Sequence, residues 1–314
     1  MVDADGAGPA VHSLDHFTLA VPDIEQAERF YTAFGLAVER GGDRLLLRTS
    51  GGDHVWADIV CGPRKRLISI RFGIYEADRP AFSARLADVC DPDKASDGNG
   101  SLWIVAPDGL SVEVAVAPKT SPDAKASFEL PPRHDPFRGT GPRSMAARVQ
   151  PRRLSHISLF TADVRQAIEF YGRYLGLRLS DCSGGDVAFL HGAHGSEHHL
   201  IAFGRSSGPG LHHCSWDVSS IAEVGQGAMQ MRDAGYPQGW GVGRHVLGSN
   251  YLYYVRDPWG SYSEYSADMD YVPLGETWTA GDHPAEDSFY QWGPEPPEDF
   301  AHNYEMDGGS AVQR

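Results

Sequence analysis

The sequence predicts an α+β protein of two tandem domains, each built from two units that contain one strand, one helix and three further strands (βαβββ). One observation is an internal repeat, in which LDHFTLAVPDIEQAERFYTAFGL at 14–36 matches LSHISLFTADVRQAIEFYGRYLGL at 154–177. Another is that each half alternates runs with the period of a strand and runs with the period of a helix. With 314 residues, the chain is long enough for each half to bury its own core.

The individual elements follow from this periodicity and from cap and turn residues. HISLFTA at 156–162 alternates as a strand does, and the apolar residues from Val164 to Leu175 then recur at helical spacing between a candidate cap, Asp163, and a terminating Gly176. Further strands are expected at 187–191, 198–204, 211–218, 251–255 and 261–266, with a helix at 221–234 that stops at Gly235. The first half repeats the plan, with helices near 24–34 and 80–89.

Composition shifts along the chain indicate its domain boundaries. The stretch around PPRHDPFRGTGPR is rich in Pro, Gly and basic residues, which is typical of a linker. Six aromatic residues follow Pro273 among acids and prolines, so we expect this tail to pack back on the second domain as a candidate lid. The prediction is an N-terminal extension at 1–13, a first domain at 14–118, a linker at 119–153, a second domain at 154–272 and a tail at 273–314.

Charge and composition exclude several classes of partner. The 42 acidic and 27 basic residues give a net charge of -15, which would repel nucleic acids and anionic membranes at long range. No run approaches the roughly 20 apolar residues needed to cross a bilayer. The four cysteines show no paired spacing, so we expect reduced thiols and a cytoplasmic protein; they are Cys61, Cys90, Cys182 and Cys214.

The two halves differ at one position that matters for metal binding. The repeat places His16 over His156 and Glu113 over Glu264, but it places Ser69 opposite His213. An isolated histidine on a strand is more often a core residue than a ligand, and the repeat reverses that expectation here. The sequence therefore predicts one live metal site in the second half and one degenerate site in the first; the expected ligands are His156, His213 and Glu264.

Two imidazoles and one carboxylate suit a divalent ion with open coordination positions. Ferrous iron is the first choice for this donor set and manganese the second, while zinc with the same ligands stays possible. His199 and His245 each adjoin a strand that should pass the metal, and an imidazole can move protons near neutral pH. His212, by contrast, should point to the opposite face of its strand, where it would support a ligand from behind or serve in packing.

These residues resemble the vicinal oxygen chelate superfamily, and within it the two-domain type I extradiol ring-cleaving dioxygenases of the catechol 2,3-dioxygenase and dihydroxybiphenyl dioxygenase group. The resemblance covers about 14–272 and rests on HHLIAF at 198–203, GLHHCSWDV at 210–218 and GRHVLGSNYLYYVRDPWGSYSEY at 243–265. It implies cupped, incompletely closed mixed-sheet barrels with helices outside, and a first domain without metal. It further implies a catechol substrate, dioxygen as co-substrate, Fe(II) or Mn(II), and a homo-oligomer, either a dimer or a tetramer.

The resemblance also implies roles for individual residues. His156, His213 and Glu264 correspond to the metal ligands, and His199 to the acid/base residue. His245 and Tyr254 correspond to the groups that hydrogen-bond the catechol oxygens.

Two other functions remain open on the sequence alone. One is a metal-dependent isomerase or thiol transferase of the glyoxalase type, and the other is a non-catalytic binding protein of the bleomycin-resistance type. The sequence does not identify the catechol. Arg244 could pair with a substrate carboxylate, although a structural salt bridge is the better expectation. Aromatic residues could line an apolar pocket or pack in the core; they are Trp216, Trp240, Tyr251, Trp259 and those of the tail.

Overall fold

The first half of the chain folds around a seven-stranded mixed sheet. The computed structural model describes residues 8–94, 100–125 and 141–307. The sheet runs in the order β2-β3-β4-β1-β5-β7-β6. The elements are β1 (Ser13–Val21), α1 (Ile24–Phe34), β2 (Ala37–Arg40), β3 (Arg44–Arg48), β4 (Ala57–Cys61), β5 (Arg66–Ile74), a 3-10 turn (Glu76–Asp78), α2 (Arg79–Arg85), β6 (Leu102–Val105) and β7 (Ser111–Val116).

The second half, together with the tail, forms a ten-stranded sheet in the order β18-β9-β10-β12-β8-β13-β16-β15-β14-β19, and β11 pairs with β17 apart from it. A 3-10 turn (Arg143–Met145) precedes this half. Its elements are β8 (Arg153–Thr161), α3 (Val164–Leu175), β9 (Arg178–Ser183), β10 (Val187–His191), β11 (Ser196–Glu197), β12 (Ile201–Arg205), β13 (Gly210–Asp217), α4 (Ile221–Asp233), β14 (Gly239–His245), β15 (Tyr251–Arg256) and β16 (Tyr262–Ala267). The tail adds β17 (Tyr271–Val272), β18 (Gly281–His283), α5 (Ala285–Ser288), β19 (Tyr290–Trp292) and a 3-10 turn (Tyr304–Met306).

Matching caps start and stop the first helix of each half. The Asp163 carboxylate accepts a hydrogen bond from Gln166 N at 2.9 Å, and Asp23 does the same in α1. Gly176 ends α3 with a φ of 73°, and Gly35 ends α1 with a φ of 102°. A side chain at Gly35 would place its Cβ 2.1 Å from Val149 O, so glycine is required there by space as well as by φ.

The predicted fold class is confirmed, since both sheets are mixed, neither closes on itself, and each half repeats a strand, a helix and further strands. Three details differ from the prediction. The helix expected at 80–89 is the shorter Arg79–Arg85, and the strand expected at 198–204 begins only at Ile201. In the described residues, α2 is followed by two strands rather than three, with an isolated bridge between Cys90 and Ile104 beside them.

The tail packs back on the second half, as predicted. Its strand β18 pairs with β9 at one edge of the ten-stranded sheet, and β19 pairs with β14 at the other. The centre of the predicted linker, at 126–140, and the end of the tail, at 308–314, lie outside the described residues, as do residues 1–7 of the predicted extension. Within the described ranges, no helix combines the length and the apolar character needed to span a membrane.

The two halves contact each other directly. The rings of Phe34 and Tyr265 stack with centroids 3.9 Å apart, and Tyr265 Oη donates to Phe34 O at 2.7 Å. This contact joins the end of α1 in the first half to β16, a central strand of the second half.

Candidate metal centre

Three side chains converge where the central strands of the ten-stranded sheet lie side by side. β8 carries His156, β13 carries His213 and β16 carries Glu264. In the strand register, Ser215 of β13 pairs with His156 on one side and with Glu264 on the other. His156 Nε2 lies 3.2 Å from His213 Nε2 and 3.4 Å from Glu264 Oε2, and His213 Nε2 lies 3.8 Å from the same oxygen. The structure therefore brings the predicted triad to one point.

The donor set fits a divalent cation. Glu264 is fully buried, and among the described residues its Oε2 atom has no hydrogen-bond partner. A buried carboxylate oxygen without a donor is costly, and a cation at that oxygen removes the cost. The other oxygen, Oε1, accepts from Asn250 Nδ2 at 3.2 Å, so Asn250 orients the carboxylate while leaving Oε2 directed at the two imidazoles.

A hydrogen-bond chain fixes the protonation of His156. Its Nδ1 lies 3.2 Å from Ser155 Oγ, and that hydroxyl donates to Glu197 Oε2 at 2.6 Å. Burial opposes ionisation of Glu197, but the adjacent Arg153 guanidinium outweighs it and lowers the pKa of this carboxyl. Because the hydroxyl donates to an ionised carboxylate, it accepts from Nδ1–H of His156. The lone pair of His156 is therefore on Nε2, the atom that faces the other ligands.

The same logic applies to His213 through a different chain. His213 Nδ1 lies 2.6 Å from His212 Nδ1, and His212 Nε2 lies 3.0 Å from the carbonyl oxygen of Phe300. A carbonyl only accepts, so His212 carries its proton on Nε2, and its Nδ1 accepts from His213 Nδ1–H. This again leaves the Nε2 lone pair of His213 free for a metal. His212 is thus a buried hydrogen-bond partner of the expected ligand His213, and the carbonyl group that orients His212, that of Phe300, belongs to the tail.

The three other predicted residues surround the triad. The His199 ring lies 4.1 Å from the His156 ring, centroid to centroid. His245 Nε2 lies 2.9 Å from Tyr254 Oη and 3.8 Å from Glu264 Oε1. His245 Nδ1 lies 2.8 Å from Phe289 O, so it carries the proton, and its Nε2 is an acceptor.

Burial sets the ionisation of these side chains. It lowers the pKa of His199 well below 6.5, and the neighbouring His156 adds to the effect. It also lowers the pKa of His245, although Glu264 pulls in the opposite direction. The pKa of the Tyr254 phenol is raised well above 10 by burial and then by the Glu264 carboxylate. The site therefore presents neutral imidazoles and a protonated phenol at neutral pH.

A cavity of about 670 Å³ opens onto the triad. Apolar side chains form much of its wall, and the tail contributes several of them. Among the lining residues are His156, His199, His213, His245, Tyr254, Phe189, Leu247, Phe289, Pro296 and Phe300. A volume of this size accommodates a small organic ligand.

The sequence left open whether several residues line the pocket or have a structural role, and the structure separates these two uses. Trp216, Trp240, Tyr251 and Trp259 do not line this cavity; Trp216 is fully buried instead. Arg244 does not line the cavity either. Its guanidinium lies 3.5 Å from Asp268 and donates to Tyr251 Oη at 2.7 Å, which is the expected structural use.

Apart from His212, sequence reasoning missed the residues that orient the ligands. Asn250 stands within the run at 243–265, but nothing in its local pattern separates it from a turn asparagine. The chain through Ser155 and Glu197 and the carbonyl anchors at Phe289 and Phe300 depend on distant contacts, which no spacing in the sequence reveals.

The corresponding position of the first half holds an arginine. Arg71 takes the place that Ser215 has in the second half, because it pairs with His16 on β1 and with Glu113 on β7. Its guanidinium Nε lies 2.7 Å from Glu113 Oε2. The carboxylate that corresponds to Glu264 is therefore paired with a guanidinium, and Ser69 stands where the second half has His213.

Comparison with known proteins agrees with this geometry. Residues 153–265 match the family model of the Glyoxalase/Bleomycin resistance protein/Dioxygenase superfamily. The chain is 50% identical over 300 residues to metapyrocatechase 2 of Cupriavidus necator, which covers 94% of this chain and 93% of that protein.

Two solved structures share the fold. An extradiol ring-cleaving dioxygenase from B. fuscum aligns with a TM-score of 0.74 at 19% identity, covering 98% of this chain and 86% of that one. The Mn(II)-bound glyoxalase from Novosphingobium aromaticivorans aligns with a TM-score of 0.72 at 24% identity, covering 92% and 93%. At such identities the likeness concerns the fold alone. On the 50% identity over almost the whole chain, this protein belongs to the metapyrocatechase family of extradiol dioxygenases, within the vicinal oxygen chelate superfamily.

Proposed function

We propose that the chain opens the ring of a catechol next to its two hydroxyl groups, with both atoms of O2 entering a hydroxymuconic semialdehyde-type product. The observation that carries this proposal is the buried triad of His156, His213 and Glu264, which directs two Nε2 lone pairs and an unpaired carboxylate oxygen at one point. That point faces the cavity, which leaves room for a small aromatic ligand beside it.

Fe(II) is the metal we propose, with Mn(II) as the second candidate. Two imidazoles and one carboxylate are the donor set of ferrous oxygenases, and manganese accepts the same three donors. When bound, the metal supplies open positions at which the catechol and dioxygen meet, together with a charge that favours loss of a phenolic proton.

The roles of the surrounding residues follow from their hydrogen-bonding capacity. Tyr254 is protonated, so its hydroxyl can donate to a deprotonated catechol oxygen. His245 presents an acceptor at Nε2, which receives the Tyr254 hydroxyl hydrogen bond in this structure. When Tyr254 donates to the catechol instead, this Nε2 can receive a proton from a catechol hydroxyl. His199 is neutral, buried and beside His156, so it can accept a proton from the substrate and return it later in the reaction.

The cavity wall supports a catechol that carries an uncharged apolar substituent. The side chains of Phe289, Phe300 and Leu247 offer apolar contacts. Among the described residues, Arg205 is the one arginine on the wall; it lies 2.6 Å from the Asp186 carboxylate, and that ion pair is solvent-exposed. A carboxylate on the substrate would therefore compete with an existing partner, whereas an alkyl or aryl group would gain buried contact.

Anaerobic reconstitution tests the proposal. The protein is loaded with Fe(II) or with Mn(II), given catechol, 3-methylcatechol or 2,3-dihydroxybiphenyl, and then exposed to air. We expect oxygen uptake with a yellow product, faster for the substituted catechols, and neither signal from His213→Ala treated in parallel. Catalytic turnover of a glyoxalase-type thiol substrate without oxygen uptake would contradict the proposal.

We further propose that the protein is a homo-oligomer of the cytoplasm. The family resemblance supports the first expectation, and four cysteines without paired spacing support the second. Sedimentation of the purified protein tests the first, since a single species near 34 kDa would contradict it.

A further inference from the structure

We propose that Asp181, acting through His198, positions His199 and determines which nitrogen of the His199 ring carries the proton. This inference rests on the proposed function, in which His199 transfers the proton. Asp181 and His198 are positioning residues, because neither lines the cavity that would hold the substrate.

Three side chains form a continuous buried chain. Asp181 Oδ2 lies 2.8 Å from His198 Nε2, and His198 Nδ1 lies 3.0 Å from His199 Nδ1. All three residues are at most 5% exposed. The chain starts on strand β9 and ends at His199, whose ring rests against His156.

When His198 is neutral, hydrogen-bond chemistry allows one proton arrangement along this chain. An ionised carboxylate only accepts, so His198 must carry its proton on Nε2. Neutral His198 then has a lone pair on Nδ1, which can only accept from His199 Nδ1–H. His199 is thereby left with its lone pair on Nε2. The arrangement makes His199 a base at the nitrogen that is free of the chain, as an aspartate does for the histidine of a Ser-His-Asp triad.

Asp181 is held ionised by four donors. Its Oδ1 accepts from Gly281 N and His283 Nε2, each at 2.9 Å, and its Oδ2 accepts from Trp278 Nε1 at 3.2 Å in addition to His198. Burial opposes ionisation, but the hydrogen bonds from His198, His283 and Gly281 outweigh it and lower the pKa of Asp181 to about 2.

Three of these four donors belong to the tail. The segment 278–283 therefore fixes Asp181 and, through it, the protonation of His199. The tail contributes to the reacting centre by this route as well as by the side chains with which it lines the cavity.

A double-mutant cycle tests the inference in the metal-loaded full-length enzyme. Asp181→Ala is made alone and in a His199→Phe background, and kcat, KM, metal content and the pH profile of kcat are measured. Glu276→Ala is the matched control, since it removes an exposed tail carboxylate outside the segment that contacts Asp181.

We expect Asp181→Ala to lower kcat by about 10- to 100-fold with metal content and KM nearly unchanged, as for other groups that orient a reacting side chain. The acid limb of the kcat profile should shift. In the His199→Phe background, Asp181→Ala should cost less than about 2-fold, because there is no longer an imidazole to orient. Glu276→Ala should leave kcat within about 2-fold of the wild type.

Equal losses from Asp181→Ala in both backgrounds would overturn the inference, because they would indicate a general structural role. If His199→Phe turns over at the wild-type rate, it is the proposed role of His199 that fails. Should Asp181→Ala not accumulate as folded protein, Asp181→Asn enters the same cycle. It keeps the shape of the side chain but lacks the charge. A loss of kcat that disappears in the His199→Phe background would support the inference, and equal losses in both backgrounds would overturn it.

Discussion

Glu305, near the end of the described tail, is expected to hold the tail to both halves of the protein. Its Oε1 lies 2.8 Å from Lys65 Nζ and accepts from Leu211 N at 2.9 Å, while its Oε2 accepts from Leu67 N at 3.2 Å. Lys65 and Leu67 belong to the first half and Leu211 to the second. The side chains of Lys65 and Glu305 are only 6% and 8% exposed, so this ion pair is shielded from solvent.

Glu305→Ala leaves the buried Lys65 ammonium without its carboxylate and two backbone N–H groups without their acceptor. Breaking a buried pair by removing one partner costs about 3 to 5 kcal/mol. At a slope near 3 kcal/mol per molar urea, the unfolding midpoint should fall by roughly 1 to 2 M. The double variant Lys65→Met/Glu305→Met should recover much of this loss, because neither Lys65 nor Glu305 is then left buried without its partner.

Urea unfolding followed by circular dichroism measures these differences. The control is Glu169→Ala, which removes an exposed pair with Arg165 whose side chains are 88% and 64% exposed, and it should cost less than about 0.5 kcal/mol. KM should also rise in Glu305→Ala, because the preceding tail residues line the cavity. A loss no larger than that of Glu169→Ala would refute the reasoning about this ion pair.

Three further predictions follow from other parts of the structure. Ser69→His alone should leave the metal stoichiometry at one per chain, whereas Ser69→His/Arg71→Ser should raise it toward two by freeing Glu113, as metal analysis after dialysis would detect. Burial raises the pKa of Asp257 to about 6, so the folded protein binds more protons than the unfolded chain between pH 4 and pH 6 and loses stability as the pH rises through that window. Asp257→Asn keeps an Oδ1 acceptor for Trp259 N and Ser261 N, so it should be more stable than the wild type by up to about 3 kcal/mol at pH 7.5, and by far less at pH 4. Phe289→Ala should raise KM for 2,3-dihydroxybiphenyl several-fold more than KM for catechol in steady-state assays, since it removes apolar wall and not a polar contact.

The sequence predicted those features that repeat along the chain. The match between 14–36 and 154–177 predicts two similar halves, and Asp163 and Gly176 mark the ends of α3 to the residue. The convergence of His156, His213 and Glu264 could also be predicted, because the repeat relates them to His16, Ser69 and Glu113.

Features that depend on contacts between distant segments could not be predicted. Arg71 has an ordinary place in an alternating strand, and only the register of β1, β5 and β7 shows that its guanidinium meets Glu113. The tail was expected to pack on the second half, but its carbonyl contacts with His245 and His212 have no side-chain pattern to reveal them. Backbone acceptors are present at every residue, so the sequence does not distinguish the two that are used.

The most direct test of the account is the metal content of four proteins loaded and dialysed together: the wild type, His213→Ala, Glu264→Ala and His199→Phe. The account predicts close to one Fe(II) per chain in the wild type and in His199→Phe, with a loss of at least ~10-fold in occupancy for the two ligand variants. Equal metal content in all four would contradict the central claim that His156, His213 and Glu264 together hold the ion.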